Sequence, residues 1–260
     1  MKCKELINIL DEKWPFSAAL EWDNVGLLVG NQEKEIKKIL VCLDVTDEAI
    51  CEAIEFGADL VLAHHPLIFS SFKKVTFDDF VGKRIIRLIK NDIACVAMHT
   101  NFDVTQMAEL NQKSLELTDS SVLMVTGSRD GHEEGIGRVG NLPKKMTLLE
   151  AAEFVKEKLQ LDKVPVYGDL TQSIKKIAVS GGSGKGMSSY ALAAGADLLV
   201  TGDIDHHSGI DAVAQGLAII DAGHYGTESV FIPFMTEELH HLFPDIEVKA
   251  VKLEKPFQFV

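Results

Sequence analysis

One segment of this sequence occurs twice, and no other feature constrains the fold as strongly. Lys37-Lys38-Ile39 returns as Lys175-Lys176-Ile177, and Gly57-Ala58-Asp59-Leu60 returns as Gly195-Ala196-Asp197-Leu198, both at an offset of 138 residues without a gap. From Lys37 to Ala63 against Lys175 to Thr201 there are nine identities, Val41/Val179 and Ala53/Ala191 among them. Each copy reads strand, helix, Gly-Ala-Asp turn, strand. Two related α/β halves are the simplest explanation. The competing one is chance similarity between ordinary βαβ units, because the vocabulary of buried strands is small.

The wider pattern agrees. Apolar β-branched runs predict strands at Ile39–Leu43, Leu60–Ala63, Ala94–Met98, Ile177–Val179, Leu198–Thr201 and Ala218–Asp221. Helical patterns cover Met1–Lys13, Asp47–Phe56, Val81–Lys90, Thr147–Leu159, Ser188–Ala194 and Gly209–Gln215, and Thr147 with Glu150 makes a capping box. The softest boundary is the polar, Gly-containing stretch Thr126–Gly140. The expected class is α/β: two related domains, each a three-layer sandwich on a mixed, mostly parallel sheet.

Composition narrows the function. A formal net charge of -13 argues against nucleic acid as the partner, since phosphate backbones are gripped by clustered Lys and Arg. A phosphorylated small molecule remains compatible if metal ions supply the positive charge locally. The four cysteines form no CxxC pair, and Cys42 and Cys95 sit in apolar runs as small buried hydrophobes, which fits a reducing compartment. No run reaches the ~18 apolar residues of a membrane span, and the N-terminal stretch carries acids within its first dozen residues and no unbroken apolar run; a cytoplasmic location is the expectation.

The chemistry gathers at strand tips. Leu62-Ala63-His64-His65-Pro66 ends an apolar strand in two adjacent histidines, at the edge where open α/β sheets build their sites. Neighbouring strand side chains point to opposite faces, so both reach one site only if the chain turns there or two metals are present. Another tip is His99-Thr100-Asn101-Phe102-Asp103. A further one, Asp221-Ala222-Gly223-His224-Tyr225-Gly226-Thr227-Glu228, puts His224 and Glu228 on one face at i, i+4 if a helix starts near Tyr225. Each half thus ends its third strand in His-x-x-x-acid. Imidazoles and carboxylates without thiols suit a water-accessible hydrolytic site for Zn, Mn, Fe or Co rather than a closed structural zinc. If His64, His65, Asp103, His224 and Glu228 form one cluster, the chain after about Asp221 must return to the first sheet. That predicts a discontinuous metal-binding domain, residues 1–125 with 224–260, around a second domain, residues 126–223.

Glu21-Trp22-Asp23-Asn24-Val25-Gly26-Leu27, Ala63-His64-His65-Pro66-Leu67, His99-Thr100-Asn101-Phe102-Asp103, Thr201-Gly202-Asp203-Ile204 and the block from Asp221 to Glu228 resemble, in order, the signature blocks of the Nif-three-like family, the GTP cyclohydrolase I type 2 homologues. The resemblance spans nearly the whole chain. It implies two divalent cations, one on His65 and Asp103, the other on His64 and His224, bridged by Glu228. It also implies a toroidal homohexamer. Where the family commonly has one histidine after Gly-Asp-Ile, this chain has Asp205-His206-His207, and the domain that some members insert between the halves has no counterpart.

Gly181-Gly182-Ser183-Gly184-Lys185-Gly186 invites a phosphate-loop reading but is not a Walker A motif: Val179 replaces the first Gly, and Gly186 follows the Lys. It is either a tight βα turn or a loop whose amides and Lys185 receive a substrate phosphate. The leading expectation is therefore a two-metal hydrolase of a small nucleotide-like or phosphorylated substrate. In it Asp103 or Glu228 orients water and His99 or His207 shuttles a proton. The family label points to opening of the GTP imidazole ring with loss of formate. The rivals are a metal-dependent phosphoesterase and a non-enzymatic metal-binding ring or scaffold.

Overall fold

The duplicated segment folds the same way twice, down to individual hydrogen bonds. In the computed structural model, which describes residues 1–252, 257 and 258, strands are numbered in chain order. They are β1 Gly26–Val29, β2 Lys38–Cys42, β3 Leu60–Ala63, β4 Ala94–Ala97, β5 Thr118–Arg129, β6 His132–Thr147, β7 Val166–Tyr167, β8 Ser173–Ser183, β9 Leu198–Gly202, β10 Ala218–Asp221 and β11 Glu247–Ala250. In the first copy Ile39 pairs with Leu60, and in the second Ile177 pairs with Leu198, the same parallel register. Asp59 Oδ2 accepts from the backbone N–H of Lys37 (2.8 Å) and Lys38 (3.0 Å), and Asp197 Oδ2 accepts from Lys175 and Lys176 (2.9 Å each). Lys38 Nζ reaches the Phe56 carbonyl as Lys176 Nζ reaches that of Ala194. Gly57 and Gly195 end the intervening helices at φ 70° and 68°, the left-handed conformation that glycine adopts without penalty.

Two compact units result, Met1–Phe102 joined by the chain from Phe231 through β11, and Asp103–Val230. The first unit's sheet has the order β1-β4-β3-β2-β11, parallel throughout except for β1 against β4. Helices Asp47–Phe56 and Phe80–Lys90 bury Ile50, Ala53, Ile85 and Leu88 against Leu40, Val61 and Cys95. Ile39, Val41, Leu60 and Leu62 on the alternate positions are buried as well, as parallel strands covered on both faces require.

The second unit's sheet has the order β5-β6-β8-β9-β10-β7, a parallel centre of β8, β9 and β10 with antiparallel flanks. Helix Leu148–Leu159 packs Ala151, Ala152 and Val155 on Val179, Val200 and Ile220. Helices Met187–Ala193 and His206–Ala214 place Met187, Ala191 and Ala212 on Ala178, Leu199 and Ile219. Three layers follow. The capping box predicted at Thr147 and Glu150 is present.

The stretch Thr126–Gly140 is strand, turn and strand: β5 and β6 form a long hairpin, so residues 125 and 126 are neighbours inside β5. Its two-residue connection, Asp130-Gly131, has φ 51° and 80°, the left-handed pair that a twisted hairpin needs. The polar pattern hides these strands because their outer half faces solvent. Cys3, Cys42 and Cys95 are buried and Cys51 is exposed; burial alone pushes the Cys95 thiol up to about 12. Among the described residues no helix is long and apolar enough to cross a membrane.

Candidate metal centre

In the first unit the β2/β3 ladder runs two residues past the end of β3, with His64 N–H donating to Cys42 O (3.2 Å) and His65 N–H to Leu43 O (2.9 Å). This fixes both backbones, and the two rings lie 5.0 Å apart, tilted by 44°. The His64 ring is fully buried, 5.0 Å from Phe231 and 6.2 Å from Phe102, with its Nδ1 2.7 Å from the Met98 carbonyl. A carbonyl only accepts, so Nδ1 carries the proton and Nε2 is the basic nitrogen. His65 Nδ1 lies 2.8 Å from Asp44 Oδ1, and His99 Nδ1 lies 2.8 Å from Asp23 Oδ1. The three rings sit 5.0 to 5.6 Å apart.

Asp23 is the hub of the Glu21–Asn24 block. Its side chain is fully buried and also accepts from the N–H (3.0 Å) and hydroxyl of Thr100. Burial pushes its carboxyl up, but the His99 and Thr100 hydrogen bonds outweigh this and hold it at about 2.

In the second unit His224 opens the helix His224–Glu228 and Glu228 closes it, the i, i+4 spacing read from the sequence, with His224 Nε2 3.1 Å from Glu228 Oε2. Asp203 Oδ2 holds His224 Nδ1 at 2.7 Å. Glu228 is the main cause, with Asp203 adding to it against burial, of a His224 pKa raised to about 9. A pocket that keeps a proton that firmly is electronegative enough to favour a cation.

Two glycines make room. A Cβ on Gly182 would fall 2.3 Å from Glu228 Oε1 and 3.2 Å from His224 Nε2, and one on Gly202 would fall 2.3 Å from His224 N. Gly182 N–H donates to Thr227 Oγ1 at 2.9 Å. The Gly-rich loop thus borders the His224–Glu228 pair with its second glycine. Lys185 is exposed, as are His206 and His207, whose rings lie 5.3 Å apart at the start of helix His206–Ala214. Asp103 starts a π-helical turn, Asp103–Met107, between Thr100–Phe102 and Ala108–Ser114; such turns cluster at functional sites.

The His-x-x-x-acid correspondence does not survive in the frame. Met98 N–H bonds Ala63 O as Ala222 N–H bonds Thr201 O, so Gly223, not His224, occupies the position of His99. The sequence reading also missed Asp23, Asp44 and Asp203, which orient the histidines. Asp23 and Asp203 stood in the family-like blocks without an assigned role, and Asp44 was visible only as a single acid just after an apolar strand.

By donor chemistry, His64 and His65 in the first unit, and His224 with Glu228 in the second, are residue types that can ligate a metal ion. The Duf34/NIF3 (NGG1p interacting factor 3) family profile matches residues 1–256, and the chain belongs to that family. A Clostridium perfringens relative named GTP cyclohydrolase 1 type 2 homolog is 41% identical over the full length of both chains. A Lactococcus lactis relative of the same name is 37% identical over 98% of this chain and 97% of its own. Among solved structures, a Bacillus cereus protein related to NIF3 superposes with TM-score 0.91 at 27% identity, covering 100% of this chain and 99% of that one. Reduced HcgD from Methanocaldococcus jannaschii gives 0.83 at 31% identity, covering 97% and 98%.

Proposed function

We propose that this protein is a hydrolase that works with two divalent cations on a small nucleotide-like or phosphorylated substrate. His64, His65, Asp103, His224 and Glu228 are the metal ligands in this reading. The observation that carries it is the shared hydrogen-bond pattern of the histidines: His64, His65 and His224 each commit Nδ1 to an oxygen, which presents a basic Nε2 and raises its donor strength. The Gly182 cradle beside Glu228 Oε1 and His224 Nε2 keeps clear the volume that an ion on those atoms needs. The donor set has nitrogen and oxygen but no sulfur, as in hydrolytic centres.

Chain connectivity supports joining the two donor sets. Asp103 directly follows Phe102, and Glu228 precedes Phe231 by three residues; both of those rings pack on His64. At ~3.8 Å per residue neither acid has much slack. One unit inserted within the sequence of the other is part of this proposal, as is the toroidal hexamer, which the mass in solution tests.

Bound cations of this kind lower the pKa of water toward neutrality and polarise the bond under attack. The chain's own residues do the rest. Asp23 fixes His99 with Nδ1 occupied, so that the other nitrogen is placed to move a proton, and Asp103 or Glu228 orients the water. Protein purified without chelator should carry up to two transition-metal ions per chain. His65→Ala combined with Glu228→Ala should abolish that content while the circular dichroism spectrum stays native, and metal-reconstituted protein should outpace the apo form on nucleotides and phosphoesters. A double variant that keeps both ions overturns the ligand assignment.

A further inference from the structure

Between β3 and helix Phe80–Lys90 the chain runs through residues 64–79 without regular structure. Connections this long are usually functional. This one displays rings where a connection ordinarily displays polar groups: Phe69, Phe72 and Phe77 are 59%, 40% and 57% exposed, and Phe80, which opens the helix, is 64% exposed. The loop is anchored at both ends. Asn24 Nδ2 donates to Ile68 O at 2.7 Å, and a Cβ on Gly82 would fall 2.5 Å from Thr76 O, so the returning chain lies directly on the helix start. Trp22 meets Phe69 edge-on at 5.8 Å and extends the aromatic wall toward His99.

Behind these rings lies a cavity of about 440 Å³, bordered by Asp44, His65, Phe69, Phe72, Phe80 and Arg84. That is the size of a small-molecule site. One of its polar groups is conspicuous. Arg84 Nε is buried and makes no hydrogen bond among the described residues; its carboxylate neighbour, Asp47 Oδ1, is 3.8 Å away, too far to accept. A buried guanidinium donor left in that state is costly unless something enters to accept from it. Its head group is held over the Phe80 ring, 5.3 Å from the centroid.

We propose that this cavity is the substrate-recognition site for a planar aromatic ring bearing an oxyanion. The ring stacks on Phe69 and Phe72, the oxyanion accepts from Arg84 at the Phe80 end, and the floor is the His65 side chain. The inference deepens the hydrolase reading and rests on it only for the last point, the delivery of a scissile bond to His65.

Calorimetry on the purified chain tests it with four probes: adenosine monophosphate, adenosine, ribose 5-phosphate and indole-3-carboxylate. Adenosine monophosphate should bind more tightly than adenosine or ribose 5-phosphate. Indole-3-carboxylate decides whether a carboxylate serves as well as a phosphate. Phe72→Ala should weaken the ring-bearing probes about tenfold and leave ribose 5-phosphate unchanged. Arg84→Gln should erase the advantage of adenosine monophosphate over adenosine. Neither substitution should change metal content. Wild-type protein stripped of metal with a chelator should still bind adenosine monophosphate, so a failed metal assignment leaves this result readable. The proposal is overturned if the wild type binds none of the probes, or if both cavity variants bind adenosine monophosphate as the wild type does. It is also overturned if Phe72→Ala changes the assembly mass instead of the affinities.

Discussion

The two copies of the repeated unit share a frame and differ at its tip. In the first, Asp44 and His65 stand at adjacent strand ends, bonded to each other. Shifted by 138 residues, those positions are Gly182 and Asp203. The second copy removes a side chain at one tip and puts a carboxylate at the other, and the helix His224–Glu228 uses the space. In both copies an aspartate orients a histidine through Nδ1, but the partners have changed places. A frame held by backbone bonds that do not depend on the tip residues lets the tips diverge without unfolding the sheet.

The comparison breaks most sharply at Gly182. Gly182→Ala forces a Cβ into Glu228 Oε1 at a φ of 65°, and should cost about 3 kcal/mol of stability with loss of bound metal. Asp44→Ala at the equivalent place should leave the fold near native and loosen only His65. Thermal melts with elemental analysis check both; a Gly182→Ala protein that keeps its metal would remove the cradle argument.

The next test asks whether the frame is equal in energy as well as in geometry. Asp59→Ala and Asp197→Ala each delete one carboxylate that accepts two backbone N–H groups, and each should cost about 2 kcal/mol. Chemical denaturation that separates the two values by more than about 1 kcal/mol would show that one copy carries the frame's stability.

Acid should also tell the copies apart, because the buried Asp23–His99 pair belongs to the first and Gly223 stands at the matching place in the second. The Asp23 pKa is about 2 when folded and 3.8 when not, so its contribution is full above pH 4 and is lost as pH falls from about 4 to 2. The loss integrates to about 2 kcal/mol. Asp23→Asn should flatten that part of the stability–pH curve; a profile as steep as wild type would assign acid sensitivity elsewhere. The smallest effect is expected at the helix ends. Gly57→Ala and Gly195→Ala meet no atom within 4 Å, so each pays only backbone strain of about 1 kcal/mol, and the two melting shifts should match.

The parallel strands were legible because buried strands are apolar on both faces: Leu60–Ala63 and Ala218–Asp221 coincide with prediction to the residue. The tandem histidines were legible because imidazoles at the end of such a strand interrupt the apolar pattern. The hairpin of β5 and β6 was not, since solvent-facing strands lack that signal, although Asp130-Gly131 marked its turn. Asp23, Asp44 and Asp203 were hidden for another reason. An isolated acid near a strand end looks the same whether it caps a turn or orients a ring, and only tertiary proximity distinguishes them.

The π turn at Asp103–Met107 has a consequence in the language of phase. A regular helix advances about 100° per residue, so the direction of Asp103 would be rigidly tied to that of Leu110 and Asn111, buried further along the same rod. An extra residue within one turn breaks that tie. The angular setting of Asp103 is then adjustable by insertion or deletion of a single residue, with the buried end of the rod left in register. Removing one residue between Val104 and Gln106 is thus a rotation of the carboxylate about the helix axis, a change that no substitution at position 103 can mimic.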